Sequence, residues 1–213
     1  MSRKARILLS ARKQFASCGY AGASLRTIAA QADVSLTLLN HHFGNKAELL
    51  AAVDEACSGP GKERIAALRS VMRAGTHSYT AAQLLETWVH SDFEIAGQVD
   101  GDSLLRFFAR MSLDGEAESA PLVERLDLAA EVLIRGLMDC YPLSSRRNAA
   151  SAYLFASGAA TQFLLSGPRV FGESDVRGAP GPSRADEVRL LAMLHSGIEA
   201  AMAGGVADLG VVT

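Results

Sequence analysis

Apolar residues recur along this chain at intervals of three and four, and no β-branched run alternates strictly between apolar and polar positions. That period predicts helices from end to end and an all-α fold. The first helix is expected from about Arg3 to Ser17, with Ile7, Leu8, Ala11, Phe15 and Cys18 on one face. Gly19, tolerant of positive φ, should stop it. Two short helices follow, about Ser24 to Gln31 and Ser35 to His42, joined by Ala32-Asp33-Val34. A fourth begins at Asn45, where Asn45-Lys46-Ala47-Glu48 has capping-box spacing, and runs to about Cys57. Ser58-Gly59-Pro60-Gly61 then breaks the pattern, which places a domain boundary there: residues 1–57 and 58–213.

Beyond the break, a modest helix is expected over 62–73. Leu84, Leu85, Trp88, Val89, Phe93 and Ala96 form a wide apolar stripe over about 80–98. A further segment near 103–112 holds Leu104, Leu105, Phe107, Phe108 and Met111. Pro121 lies in the first turn of a long helix, where a missing N–H is harmless, and Pro142 ends that helix. The next spans about Ser145 to Ser166. A Pro/Gly-rich connection from Gly167 to Ser183 leads to the last helix, which Ser183-Arg184-Ala185-Asp186 caps and Gly204-Gly205 closes.

Composition narrows the picture. The 213 residues are about half hydrophobic and one-fifth charged, which suits a sizeable packed core. Cys18, Cys57 and Cys140 lie far apart without a CxxC pair, so reduced thiols in a cytoplasmic protein are expected. The basic N-terminus meets Arg12 and Lys13 too soon to be a secretory signal. Asn148 to Pro168 lacks charge but carries enough Asn, Ser, Thr and Gln to read as a buried helix. The net charge of -2 conceals an asymmetry: residues 1–50 carry +5 and the remainder -7. A basic head on an acidic body implies that the head alone meets a polyanion.

Within the head, Ser24 to Phe43 has the logic of a helix-turn-helix. Ile28 and Ala29 point inward, Val34 plugs the turn, and Leu39 and Phe43 hold the second helix from beneath. Ser35, Thr37, Asn40 and His41 face outward. A helix entering the major groove needs one buried face to fix its angle and one face of hydrogen-bonding groups for base edges. Lys46, in the first turn of the fourth helix, suits a phosphate. Arg26 suits a bidentate guanine contact, or is a solvated charge. Ser24 and Ser35 are N-caps alone, or caps that also touch DNA. The basic stretch Arg3-Lys4-Ala5-Arg6 suits the DNA backbone or minor groove.

From about Arg6 to Cys57 the chain resembles the N-terminal domain of the tetracycline-repressor (TetR) family. The matching pieces are Phe15 with Gly19-Tyr20, Ser24 to Ile28-Ala29, Ala32-Asp33-Val34-Ser35, and Leu39-Asn40-His41-His42-Phe43 followed by Asn45-Lys46 and Leu49-Leu50. The resemblance implies DNA contacts at Ser24, Arg26, Ser35, Thr37, Asn40, His41, His42 and Lys46. Thr37 and His41 would face bases; Asn40, His42 and Lys46 would face phosphates. It also implies a body that dimerises through its last two long helices, near 145–166 and 184–203, and takes a small-molecule effector.

Small residues of the first of those helices, among them Ala149, Ala152, Ala156, Gly158 and Ala160, suit close helix approach in a homodimer or within one subunit. Trp88, Phe93, Phe107, Phe108, Met111, Met138 and Tyr141 either line a pocket for a largely apolar effector or form plain core. Glu86, His90, Asp92 and Glu94 permit a carboxylate–His–carboxylate ladder, which a surface helix explains equally well. No nucleophile motif or phosphate loop accompanies it, and no metal or cofactor is expected. The expected function is a DNA-binding transcriptional regulator rather than an enzyme: a homodimeric repressor on a pseudo-palindromic operator. A helical protein-interaction module is the alternative.

Overall fold

A computed structural model describes residues 1–73, 75, 78–171 and 182–202, and every long element in that range is an α-helix. The Ser2 hydroxyl accepts from Ala5 N–H (3.2 Å) and opens α1 (Arg3–Gly22). Gly19 interrupts α1 as its sequence position predicts, with φ 71°, but one further turn follows it. The positive φ at this kink favours glycine, and a side chain there would also press on the Asp114 carboxylate.

Three short helices complete the head: α2 (Leu25–Gln31), α3 (Leu36–Phe43) and α4 (Lys46–Cys57). The Asn45 side chain accepts from Glu48 N–H (3.0 Å) and its amide donates to the Glu48 carboxylate (2.8 Å), the expected cap in an asparagine form.

The expected break after Cys57 is narrower than its composition suggests. Only Ser58 separates α4 from α5 (Gly59–Met72), and its hydroxyl donates to the Glu55 carbonyl (2.8 Å). Gly59, Pro60 and Gly61 form the first turn of α5, where the backbone N–H groups need no helical partner and proline is tolerated.

The remaining helices are α6 (Ala81–Ala96), α7 (Gly101–Leu113), α8 (Ala120–Cys140), α9 (Arg146–Val170) and α10 (Arg184–Met202). A reciprocal capping box between Thr80 and Gln83 starts α6. Pro121 falls in the first turn of α8, as expected. The α9 helix continues four residues past Ser166, through Gly167 and Pro168. The Ser183 cap on α10 is present, with its hydroxyl accepting from Asp186 N–H (3.2 Å). Most of the Pro/Gly-rich connection and the closing Gly204-Gly205 lie outside the described residues.

The chain divides into two compact units. One holds Met1–Gly61 with Val99–Asp127; the other holds Lys62–Gln98 with the described residues from Leu128 onward. In the first, α1 packs against α2, α4 and α7, around Ile7, Phe15, Ile28, Leu39 and Leu49, all fully buried. The unit containing the helix-turn-helix thus includes α7 and the first turns of α8, which an Arg125–Asp54 ion pair ties to α4. In the second, α6, α9 and α10 pack on one another. Ala149, Ala152, Ala156 and Ala160 of α9 are buried within this unit. No helix among the described residues is long and apolar enough to cross a membrane.

Candidate nucleic-acid interface

The turn between α2 and α3 is set by backbone geometry. Asp33 takes φ 53°, in the left-handed region, and Val34 N–H donates to the Ala29 carbonyl (3.0 Å). Asp accepts this conformation more readily than most non-glycine residues. Arg6 closes the turn from α1, its guanidinium donating to the Asp33 carbonyl (3.4 Å). The sequence placed Arg6 only in a basic arm; the guanidinium also lies 4.0 Å from the Asp33 carboxylate, 27 residues along the chain.

Leu39 and Phe43 bury one face of α3, while Thr37, Asn40, His41 and His42 are exposed on it. The Ser35 hydroxyl accepts from Leu38 N–H (3.1 Å) and is a working N-cap. Ser24 stands at the N-cap of α2 but makes no side-chain cap bond, so its exposed hydroxyl remains available. Arg26 is exposed one position into that helix. Seven of the eight expected contact residues therefore present exposed side chains in one short segment.

Lys46 differs. Its ammonium donates to the carbonyls of Tyr20 (2.7 Å), Ala21 (3.2 Å) and Ala23 (3.2 Å), and lies 4.5 Å from the centre of the Tyr20 ring. These carbonyls end α1, where the helix leaves oxygens without intrahelical donors and favours a cation. Lys46 thus fastens α4 to the end of α1. The His41 and His42 rings are 5.8 Å apart and inclined by 56°.

The expected effector set falls on both units. Phe107, Phe108 and Met111 belong to α7, in the unit with the head; Phe107 and Met111 are fully buried there, and the Met111 sulfur lies 3.8 Å from the Ser119 hydroxyl. Trp88, Phe93, Met138 and Tyr141 belong to the second unit. Trp88 meets Tyr153 edge-on (5.3 Å between ring centres), and Phe93 lies 6.2 Å from Phe163. The Trp88 indole N–H is buried without an acceptor among the described residues.

The Glu86–His90–Glu94 ladder is tied into a network of polar contacts. His90 Nδ1 lies 3.0 Å from buried Glu187 and Nε2 lies 3.4 Å from Glu94, while Arg184 bridges Glu86 (3.0 Å) and Glu187 (2.7 Å). Asp92 is buried in an ion pair with Arg64, whose guanidinium stacks 4.4 Å above the Trp88 ring. Burial pushes the Asp92 carboxyl above its ordinary value, and Arg64 pulls it part of the way back. These groups join α6 to α5 and α10. Among the described residues no cluster of three or more His, Cys, Asp or Glu could hold a metal ion.

A basic helical head with a buried-under, polar-over second helix defines a helix-turn-helix DNA-binding transcriptional regulator. Residues 7–53 match the family described as bacterial regulatory proteins, tetR family. No curated protein matches the chain. Solved structures share the fold along nearly its whole length. A TetR-like transcriptional regulator from Rhodococcus sp. RHA1 is 18% identical, with a TM-score of 0.59, covering 97% of this chain and 96% of its own. A transcriptional regulator from Aquifex aeolicus is 20% identical, with a TM-score of 0.55, covering 93% of this chain and 98% of its own. AibR, solved with isovaleryl coenzyme A and operator DNA, is 14% identical with a TM-score of 0.62, covering 92% of this chain and 97% of its own.

Proposed function

We propose that the protein is a ligand-responsive repressor that binds a pseudo-palindromic operator as a homodimer in the cytoplasm. The observation that carries the reading is the outward row of α3, Thr37, Asn40 and His41, held over fully buried Leu39. In this reading residues 1–57 read DNA and residues 58–213 bind effector and dimerise. Thr37 and His41 face bases, with Arg26 on a guanine, and Ser24, Ser35, Asn40 and His42 face the backbone. Lys46 reaches a phosphate only by leaving the carbonyls it now holds; otherwise it positions the N-terminus of α4, whose free N–H groups suit the same phosphate.

Homodimerisation is supported by an exposed apolar surface on α9 and α10. Leu154 and Phe155 are 65% and 59% exposed, and Val188 and Met193 are 51% and 61% exposed. Nothing lies within 4 Å of a side-chain carbon placed on exposed Gly158, so a partner helix has room to approach. Large apolar side chains left in water on adjacent helices mark association surfaces. Two-fold symmetry would then place the heads on half-sites about 34 Å apart.

An apolar effector is supported in the second unit by Trp88, Phe93, Met138 and Tyr141. The unpartnered Trp88 N–H suits a polar acceptor on such a ligand. AibR binds both operator DNA and an acyl-coenzyme A, so this fold accommodates the two ligand types. No catalytic role is assigned: Glu86 and His90 of the ladder are tied to α10 through Arg184 and Glu187.

The test is selection of genomic duplex fragments by the purified protein, followed by shift assays across a salt series. Retention of a pseudo-palindromic fragment, with affinity falling steeply as salt rises, is expected. A protein-docking module would bind no duplex in a salt-sensitive way, and that outcome would end the reading.

A further inference from the structure

Between α5 and α8, within the second unit, lies a groove of about 750 Å³. Arg69, Arg73 and Arg135 line it together with Met72, Leu128 and Val132. Leu128 is 63% exposed, whereas Leu122, Leu133, Ile134 and Leu137 of the same helix are buried. Gly136 lets the floor close: a side-chain carbon there would fall 2.7 Å from Leu84 and 3.4 Å from the Met72 sulfur.

The charges in this groove run against the acidic body around it. Arg69 lies in the last turn of α5 and Arg73 directly follows its end, four residues on, with its N–H donating to the Arg69 carbonyl (3.0 Å), a spacing at which like charges repel. Neither has an ion-pair partner among the described residues. Glu131, the lining carboxylate, is already held by Arg146 of α9 in two hydrogen bonds (2.7 and 3.1 Å). Arg135 is 3.7 Å from the same carboxylate, so it retains part of its field for the groove.

We propose that this groove binds the monomeric anion of a long-chain aliphatic carboxylic acid. The carboxylate lies between Arg69 and Arg73, with Arg135 adding its charge, and the chain covers Met72, Leu128 and Val132. Guanidinium groups pair with carboxylates through two parallel hydrogen bonds, so two adjacent arginines suit such a head. A neutral hydrocarbon would leave the arginines without a counter-charge. A small inorganic anion would leave Leu128 in water. The volume falls in the range of small-molecule sites. None of Trp88, Phe93, Met138 or Tyr141 lines this groove, so the inference is independent of the aromatic effector reading, and binding measured without DNA leaves the regulator assignment untouched.

The probe is laurate, titrated calorimetrically into the full-length protein below its micelle concentration. One-to-one micromolar binding is expected. Arg69→Gln with Arg73→Gln should weaken it about tenfold or more, a loss readable as one decade in Kd. Leu128→Asn should weaken it independently. All three side chains are exposed, so the variants should melt with the parent, and a circular-dichroism melt checks this. Dodecyltrimethylammonium, with the same chain and opposite charge, and acetate, with the head alone, should not compete. Failure of laurate to bind, undiminished binding by the double arginine variant, or equal competition by the cationic twin would each overturn the proposal. Binding confined to anionic vesicles or to duplex DNA, with no monomer bound, would also overturn it.

Discussion

Lys46 holds the end of α1 through the Tyr20 carbonyl, 2.7 Å from its ammonium, and through the ring of the same tyrosine. A charge-assisted hydrogen bond contributes more than a neutral one, and this ammonium makes three. Lys46→Met keeps most of the stem and removes the donors. It should destabilise the DNA-free protein by roughly 1–3 kcal/mol, measured by denaturant melts. A lysine acting only on phosphate predicts a different result: an unchanged melt and a salt slope for DNA binding reduced by about one. That result would remove the fastening role.

Arg26 is exposed in the first turn of α2. Arg26→Ala should weaken binding to the selected operator by about 1–3 kcal/mol, as expected for loss of a bidentate base contact, and leave the mass measured by light scattering unchanged. Arg26→Lys should not restore full specificity, because an ammonium cannot reproduce the planar fork. Parental affinity in Arg26→Ala would show that the guanidinium is a solvated charge.

The helix-turn-helix was legible because its determinants are local. Leu39 and Phe43 at core spacing and Ser35 as a cap are side-chain facts, and each has its expected place. The position of Lys46 was not legible, since its partners are carbonyl oxygens that every residue carries. Ser58-Gly59-Pro60-Gly61 reads as a wide break because glycine and proline disrupt helix interiors, yet three of the four begin α5, where those penalties fall away. The aromatic set looked like one group along the chain. The packing of α7 along α1 assigns three of its members to the unit with the head, a long-range choice that periodicity does not encode.

The three cysteines should separate under alkylation. Cys18 is exposed, Cys57 buried and Cys140 half-buried. Burial raises the Cys57 thiol above its ordinary value, with Arg12 and Arg125 opposing the rise; burial and Asp139 raise Cys140. The thiolate is the nucleophile, so both should stay protonated and slow near neutral pH. Iodoacetamide should label Cys18 first, with peptide masses giving the order, and unfolding should erase most of the difference. Early labelling of Cys57 in the folded protein would contradict its burial.

The Arg64–Asp92 pair should be costly to break and inexpensive to replace. Because burial raises the Asp92 pKa, the folded chain holds that proton more tightly than the unfolded chain. Its contribution to stability therefore falls as pH rises from about 3.9, the ordinary aspartate value, through the raised folded value, and is flat above it. Desolvation opposes the ionised carboxylate, and Arg64 offsets part of that cost. Asp92→Asn should remove this pH dependence and leave a buried guanidinium stacked on Trp88 without a counter-charge. The expected loss at pH 7 is about 3–5 kcal/mol. Arg64→Met combined with Asp92→Leu removes both charges and should cost far less than the sum of the single changes, because neither ion is stranded. Urea melts of the four proteins at pH 7, with parent and Asp92→Asn repeated at lower pH, measure both effects. Additive losses would mean that the pair is not coupled; an unchanged pH slope in Asp92→Asn would assign that slope to other carboxylates.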